Sequence, residues 1–400
     1  MRASAFLYPW DVVGDPKAAA RTAAIGVRQV TLASAYHSTR AVTPRHPAHR
    51  IVTAEHAAVL YPPDAGRWEG RELRPYPAGD WAPAGKDPFG QAAAALADAG
   101  LEVHSWVVLA HNSRLGAEHP DIGVVNAYGD RYPWAPCIAR PAVREYLASL
   151  AAEAAVRPGA AGTELESCGW YGFAHLHAHD KVGGVVLGDA TQYLMSLCFC
   201  PDCRDGYAGQ GWDARELAAH VRRALEPVWA VGGSQATGWP AVERLLGSGP
   251  AAATLAWRVQ AARALQEATV EAVRAAAPPG FRVLLHADPA PYRCGANAGV
   301  DAGHVLGLAD GVVLPCTGMA AAREAVLGPF GPHRREGAVL AANFTVVSGM
   351  GGSPGTLAAD AAHAASLGAT ELRLYHAGLA SDPDLRVVTE QLAELGRPDA

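Results

Sequence analysis

The sequence is poor in cysteine, in charged residues and in long hydrophobic runs. Only 7 of its 400 residues are cysteines, and Asp, Glu, Lys and Arg together make up 18%. No run of about 18 uncharged apolar residues occurs, so we expect no membrane span. The opening "MRASAFLYPWD" has no long apolar segment and favours a short strand over a signal peptide. These absences predict a cytoplasmic protein whose thiols stay reduced.

Basic patches are missing as well. The net charge is −6, and no stretch combines a basic run with interleaved aromatic residues. We therefore expect no nucleic-acid partner. Hydrophobic residues, in contrast, make up 50% of the chain, which is enough to bury a large core. A length of 400 residues fits one barrel domain with insertions.

A helix–strand unit recurs along the chain. In "DPKAAARTAAIGVRQVTLA", Asp15 is a candidate N-cap, Pro16 takes the first helical position and Gly26 ends the helix before a β-branched strand. The same order returns from Asp87 to Gly100 and from Ser353 to Gly368. The strands are uninterrupted apolar runs, which is typical of a parallel sheet covered on both faces.

Eight such strands predict a (β/α)8 TIM barrel, with an open doubly wound sheet as the alternative. We expect one catalytic domain over residues 1–400, with two insertions. Residues 37–86 form a long loop after strand 2, and residues 168–280 follow strand 4 and hold a cysteine cluster and helices. The predicted strands are roughly 3–8, 28–33, 102–109, 162–167, 282–287, 311–315, 338–344 and 371–376.

Polar and aromatic residues gather at the carboxyl ends of these strands, where a barrel of this kind places its chemistry. Each residue taken alone could be structural, but a rim of aromatic rings, imidazoles, amides and carboxylates suits a sugar, which offers flat faces and hydroxyls. The strand ends supply Tyr8, Trp10, Asp11, Tyr36, His37, His111, Asn112, Glu164, Glu166, His286, Asp288, Cys316, Asn343, Tyr375 and His376.

The segment "GTELESCGWYGF" carries the most specific signal. Glu164 and Glu166 alternate with Leu165, so both carboxylates face the barrel interior. Buried carboxylates are costly unless they are paired or functional. Glu166, nearer the strand end, is the candidate general acid/base; the alternative is an ion pair with an arginine of the barrel.

Histidines offer a second kind of chemistry. In "HLHAHDK", His175, His177 and His179 would face one way on an extended loop, and imidazoles can ligate zinc, iron or nickel. The alternative is a polar lid whose histidines contact substrate or solvent. His37, His111, His286 and His376 form another possible ligand set for a catalytic ion, which would make the protein a metal-dependent hydrolase or lyase.

Three of the seven cysteines lie in "LCFCPDC", at Cys198, Cys200 and Cys203. A closed structural zinc site needs four ligands, and Cys137, just before the helix that leads into strand 4, is the best fourth candidate. Cys168 competes with it, although it follows Glu166 closely. In a reduced compartment such a cluster favours zinc over unrelated buried thiols.

This combination resembles the zinc-containing β-galactosidases of glycoside hydrolase family 42 and, more broadly, TIM-barrel glycoside hydrolases with a CxCxxC segment. The likeness covers roughly residues 125–215 and the general barrel pattern. It implies that Cys137, Cys198, Cys200 and Cys203 bind a structural zinc and that Glu166 is the acid/base. Those enzymes end strand 4 with Asn-Glu and strand 7 with a nucleophilic Glu, whereas this chain has "ELESCG" and Asn343.

The second carboxylate must therefore come from elsewhere. The two carboxyl groups lie about 5–5.5 Å apart in retaining glycosidases and about 6.5–9.5 Å apart in inverting ones. Asp288, at the end of the neighbouring strand 5, is the first choice, followed by Asp11 and then Glu164. A carbohydrate-binding pseudoenzyme is a further alternative, because strand 7 lacks a carboxylate.

The sequence thus favours a glycosidase that acts on a small carbohydrate, with no membrane partner. The loop 37–86 either closes over the substrate or packs on a neighbouring subunit, so a homo-oligomer is possible. The residues expected to hold the sugar are Trp10, Asp11, Tyr36, His37, His111, Asn112, Glu164, Tyr171, His175, His177, His286, Asn343 and His376.

Overall fold

The computed structural model describes residues 1–79, 81–82, 86–175 and 180–396. Eight parallel strands form a closed barrel, because the first strand pairs with both the second and the eighth. This confirms the predicted TIM barrel and excludes the open sheet. The barrel strands are β1 (Arg2–Leu7), β2 (Gln29–Tyr36), β3 (Glu102–Val108), β4 (Ala160–Glu166), β5 (Arg282–Asp288), β6 (Gly311–Pro315), β7 (Val339–Thr345) and β8 (Glu371–Tyr375).

Helices cover the outside of the barrel, and their ends carry the expected signals. The Asp87 side chain accepts a hydrogen bond from the backbone N–H of Gly90, which caps the second helix. Gly100 has a φ of 79°, which suits the glycine that ends this helix. The barrel helices are α1 (Ala18–Ala24), α2 (Pro88–Asp98), α3 (Pro141–Ala155), α4 (Ser248–Ala276), α5 (Ala302–Leu308), α6 (Ala320–Leu327), α7 (Leu357–Ser366) and α8 (Asp382–Leu395).

Further elements occupy the connections. Segment 37–86 includes an antiparallel hairpin, Thr39–Val42 with Ile51–Ala54, the strand Ala58–Val59 and the helix Ala65–Trp68. The connection from β3 to α3 holds the helix Ser113–Glu118 and the paired strands Gly123–Val125 and Arg131–Pro136. Segment 168–280 contains, besides α4, the strands Val186–Leu187 and Gly233–Ser234 and the helices Asp189–Met195, Pro201–Gly209, Ala214–Ala230 and Trp239–Leu246.

The barrel interior is layered because side chains alternate along each strand. On β4, Glu164 and Glu166 both point inward and are 0% and 3% exposed. The parallel register places Glu164 beside Trp106 of β3 and Leu284 of β5. Between strands and helices lies the main hydrophobic core. None of the described helices is long and apolar enough to cross a membrane.

Candidate active site

A cavity of about 510 Å³ opens at the carboxyl end of the barrel. Its lining residues come from the ends of β1, β2, β4 and β8, from the hairpin after β2 and from the segments that follow β3, β4, β5, β7 and β8. This is the face where barrel enzymes carry their chemistry. The lining residues are Tyr8, Tyr36, His37, Thr39, Arg40, Ala41, Val42, His111, Glu166, Tyr171, His175, Ala296, Val347, Gly349, Met350, Tyr375, His376 and Leu379.

Glu166 is the only carboxylate among the described residues that line this cavity. It sits at the last position of β4, and the indole N–H of Trp106 donates a hydrogen bond of 2.9 Å to its Oε2 atom. Trp106 lies on the neighbouring strand β3, two residues before its end, and is itself fully buried. This bond holds one carboxylate oxygen in place against the cavity wall.

Aromatic rings form most of the wall around Glu166. Burial, followed by the charge of Glu166, raises the pKa of Tyr36, Tyr171 and Tyr375, so these phenols are uncharged at neutral pH. The ring of His111 stacks on Tyr171 with centroids 4.1 Å apart. Such flat, polar-edged surfaces can pack against a sugar ring and hydrogen-bond its hydroxyls.

A hydrogen-bonded chain runs along one side of the cavity. The hydroxyl of Tyr8 donates to the hydroxyl of Tyr36 at 3.0 Å, and it shares a hydrogen bond of 2.9 Å with Nδ1 of His376. Tyr8 also stacks on Trp10, with centroids 4.4 Å apart. These hydrogen bonds hold Tyr8, Tyr36 and His376, which lie at the ends of β1, β2 and β8, in fixed positions.

Three histidines of the cavity, His37, His111 and His376, are neutral at physiological pH. Burial lowers the pKa of His111 to about 2 and that of His376 to about 3, and it also lowers the pKa of His37. A neutral imidazole can accept or donate a hydrogen bond without adding charge. His175 also lines the cavity, whereas His177 and His179 lie outside the described residues.

Backbone strain is concentrated at this site. Ser167 and His376 are the only described residues other than glycine with a positive φ, at 56° and 60°. Ser167 directly follows Glu166, and His376 directly follows β8. Strained residues of this kind cluster at functional sites, because only a specific arrangement maintains them.

Two other predicted carboxylates, Asp288 and Asp11, do not line the cavity. Asp288 accepts the backbone N–H of Ala290 at 2.8 Å and faces Arg293 at 3.7 Å, and burial raises its pKa. Asp11 accepts the backbone N–H of Tyr8 at 2.9 Å and lines a different, small cavity; burial raises its pKa to about 7. Neither is among the described residues that line the cavity of Glu166.

Five more predicted residues lie behind or beside the cavity wall. Glu164 bonds to Arg373 inside the barrel, and His286 lies between Glu164 and Glu166. Trp10 lines a separate cavity with Trp81. Asn112 caps the helix Ser113–Glu118 by accepting the backbone N–H of Leu115, and Asn343 is buried near the end of β7.

Two features of the site have no clear signal at a strand end. Trp106 lies inside a predicted strand, and only its spacing of two from Val108 indicates the inner face. Arg40 brings a cation to the cavity from the hairpin after β2. No local pattern indicates that this hairpin folds over the barrel mouth.

A second group of chemical interest lies outside the cavity, where four buried cysteines meet as predicted. The ligand atoms of Cys137, Cys198, Cys200 and Cys203 all lie within 4.8 Å of one another, and they are the only such group of metal-ligating residues in the described part of the chain. Cys137 follows the strand Arg131–Pro136, and the other three lie at or just before the start of the helix Pro201–Gly209.

The geometry of this group fits a metal ion. The Sγ atom of Cys137 lies 3.6 Å from those of Cys200 and Cys203, which is too far for a disulfide. Four sulfurs around zinc, at about 2.3 Å each, would be about 3.8 Å apart. The backbone N–H groups of Val125 and Cys200 donate to Sγ of Cys198 at 3.4 Å, and such contacts orient a ligand around a metal ion.

Comparison with known proteins shows a shared fold. No protein-family model and no curated protein matches the chain. Among solved structures, the catalytic domain of a β-amylase from Paenibacillus polymyxa is similar, with a TM-score of 0.57 and 10% identity over 99% of both chains. A β-galactosidase from the psychrophilic Marinomonas ef1 gives a TM-score of 0.56 and 11% identity over 99% of this chain.

An α-L-fucosidase, isoenzyme 2 from Paenibacillus thiaminolyticus, gives a TM-score of 0.53 and 13% identity over 98% of this chain. The present chain covers 49% of that fucosidase and 59% of the β-galactosidase. At such low identity these likenesses show the barrel fold.

Proposed function

We propose that the protein is a glycosidase that cleaves a small glycoside with Glu166 as its general acid/base. The observation that carries this proposal is the position of Glu166: a buried carboxylate at the end of β4, oriented by Trp106 and facing a cavity of about 510 Å³. Protonation of the leaving oxygen by a positioned carboxylic acid is the step that glycoside cleavage requires.

The cavity wall supports a carbohydrate substrate. Tyr36, Tyr171 and Tyr375 surround Glu166 with flat rings and hydroxyls, and His37 and His111 add neutral imidazoles. This mixture of apolar faces and hydrogen-bonding groups matches a sugar better than a charged or purely apolar ligand. The barrel fold is shared with proteins named as a fucosidase, a β-galactosidase and a β-amylase, which is consistent with this class.

The proposal rests on Glu166 alone. Asp288 and Asp11 are bonded to backbone N–H groups outside the cavity, and Glu164 is bonded to Arg373. We therefore assign neither a second catalytic carboxylate nor a stereochemical outcome.

Glu166→Gln tests this proposal. We expect wild-type protein to release nitrophenol from at least one member of a panel of nitrophenyl glycosides. The amide cannot donate a proton as an acid does, so turnover of that substrate should fall by about 10²–10⁴-fold. The variant should unfold at the same urea concentration as wild type.

Glu153→Gln is the matched control. Glu153 is also a buried glutamate that accepts a tryptophan N–H, from Trp68 at 2.7 Å, but it lies on α3 outside the cavity. Turnover should survive this change. A Glu166→Gln protein with wild-type turnover, or a panel without any cleaved glycoside, would contradict the proposed function.

We also propose that the four cysteines bind one structural zinc ion. Zinc would tie the start of the helix Pro201–Gly209 to the connection between β3 and α3, away from the reacting groups. Elemental mass spectrometry should find one zinc per chain in wild type and less in Cys200→Ser. Cys316→Ser, which alters a buried thiol outside the cluster, should keep its zinc. If Cys200→Ser keeps a full complement of metal, the ion is bound elsewhere and this proposal is wrong.

A further inference from the structure

A buried row of charged groups runs beneath the cavity floor. Nε of Arg373 bonds to Oε1 of Glu164 at 2.7 Å, and both side chains are fully buried. Thr31 donates a further hydrogen bond to the same oxygen at 3.1 Å. Burial alone would raise the pKa of Glu164, but the charge of Arg373 and the neighbouring His286 outweigh it and lower the pKa to about 2. Glu164 is therefore a fixed anion.

His286 lies between this anion and Glu166. Its Nε2 atom is 3.6 Å from Oε2 of Glu164, and its Nδ1 atom is 3.9 Å from Oε2 of Glu166. The imidazole is 2% exposed, and the ring of Phe6 packs edge-on against it with centroids 5.7 Å apart. Neither Nε2 of His286 nor Oε2 of Glu164 has a hydrogen-bond partner among the described residues. The imidazole thus lies beside both carboxylates, and His286 itself is not among the described residues that line the cavity.

The charges of the lower groups balance without His286. Arg373 also bonds to Glu371 at 2.8 Å, and Glu371 pairs with Arg282 at 3.2 Å. The two guanidinium groups belong to Arg373 and Arg282, and the two carboxylates belong to Glu371 and Glu164. The net charge of these four groups is zero.

No arginine or lysine among the described residues lies within salt-bridge distance of Glu166, although Arg40 lines the same cavity. The phenols of Tyr36, Tyr171 and Tyr375 are uncharged, and His104 on β3 faces Glu102. An uncompensated charge on a carboxylate this buried is costly, and Nδ1 of His286 lies 3.9 Å from Oε2 of Glu166.

We propose that His286 is a positioning residue that controls the proton on Glu166, an inference that rests on the proposed function. The anion of Glu164 keeps the imidazole proton on Nε2, so Nδ1 is left as an acceptor for the proton of Glu166. Glu166 then gives this proton to the glycosidic oxygen as the bond to the anomeric carbon breaks, and the leaving group keeps the electron pair. The negative charge left on Glu166 offsets the positive charge that develops on the sugar. Water adds to the anomeric carbon and returns a proton to Glu166.

The pH profile of kcat/KM in His286→Asn tests this assignment. Two groups that share a proton hold it to higher pH than one group alone. The alkaline limb of the profile should therefore move to lower pH by about 1 unit or more in the variant, while the rate on the plateau stays within about tenfold of wild type. A histidine that only fills space would lower the rate at every pH and leave the limb in place, and that result would overturn the proposal.

His304→Asn is the matched control. His304 also lies 3.6 Å from a carboxylate, that of Glu267, but outside the cavity. Its removal should leave the limb unchanged. If Glu166→Gln retains turnover, the proposed function fails; if Glu166→Gln is inactive and the limb of His286→Asn is unmoved, only the role of His286 fails.

A measurement that needs no substrate covers the case in which His286→Asn does not fold. The ¹⁵N signals of the His286 ring can be followed against pH by NMR in wild type and in Glu166→Gln. Loss of the shared proton site should displace the titration of His286 in the variant. Superimposable titration curves in the two proteins would overturn the coupling.

Discussion

Glu164 and Glu166 lie two residues apart on β4, in two successive layers of the barrel interior, and their surroundings are opposite in character. In the lower layer, Glu164 is fully buried and bonds to Arg373 at 2.7 Å. In the upper layer, Glu166 accepts one hydrogen bond from Trp106 and lines the cavity. The lower carboxylate is neutralised by a cation in direct contact, whereas the upper one has no arginine or lysine within salt-bridge distance among the described residues.

This difference shows that the counter-ion decides the role of a buried carboxylate. A carboxylate held by a buried arginine contributes to folding, because separating either partner would leave a charge without compensation. A carboxylate with a single neutral donor and an open face can exchange its proton with a ligand. The sequence offered two alternatives for this strand, an ion pair with an arginine and a catalytic carboxylate. The ion pair is present at Glu164, and we propose the catalytic role for Glu166.

The largest effect on stability should come from breaking the lower layer. Glu164→Gln removes one of the two carboxylates that pair with the buried Arg373, so the free energy of unfolding should fall by about 3–5 kcal/mol. Glu166→Gln, which keeps an acceptor for the Trp106 N–H, should cost less than about 1 kcal/mol. Urea unfolding followed by far-UV circular dichroism measures both. Equal losses in the two variants would contradict the distinction between the layers.

The pH dependence of stability separates the lower layer from the cavity rim. Burial lowers the pKa of His376 to about 3. The unfolded chain gains a proton below about pH 6.5 while the folded chain does not. His376 should therefore reduce stability by up to about 1.4 kcal/mol per pH unit as the pH falls from 6.5 towards 3. Glu164, whose pKa is lowered to about 2, stabilises the fold above about pH 4.5 and loses this contribution only as the pH falls towards 2.

His376→Asn checks the two pH windows, because asparagine tolerates the left-handed backbone at this position. The urea midpoint of the variant should decline less between pH 6.5 and 4.5 than that of wild type. The decline below pH 4.5 should remain in both proteins. A wild-type slope between pH 6.5 and 4.5 in the variant would show that His376 does not titrate as described.

The sequence predicted the barrel well because its signals are local. Helix caps such as Asp87, helix-ending glycines such as Gly100 and uninterrupted apolar strands repeat along the chain, and all eight predicted strands are present. The convergence of Cys137 with the three later cysteines could also be predicted, since connections on neighbouring barrel strands approach each other.

The side-chain contacts within the site could not be predicted from local sequence signals. Glu164 and Arg373 are 209 residues apart, and only the closure of the barrel brings them together. Asp288 and His286 lie on the same strand end, yet one is bonded to a loop backbone and the other sits under Glu166. These outcomes depend on side-chain direction at strand ends and on long-range packing, which alternation alone does not determine.

The dependence of kcat/KM on the leaving group tests the central claim about Glu166 most directly. Aryl glycosides of one sugar, with phenols of increasing pKa, should be compared in wild type and Glu166→Gln. An acid assists a poor leaving group far more than a good one. We predict that the loss in the variant grows with the pKa of the phenol and is smallest for the most acidic phenol. A loss of equal size across the series would contradict the assignment of Glu166 as the general acid.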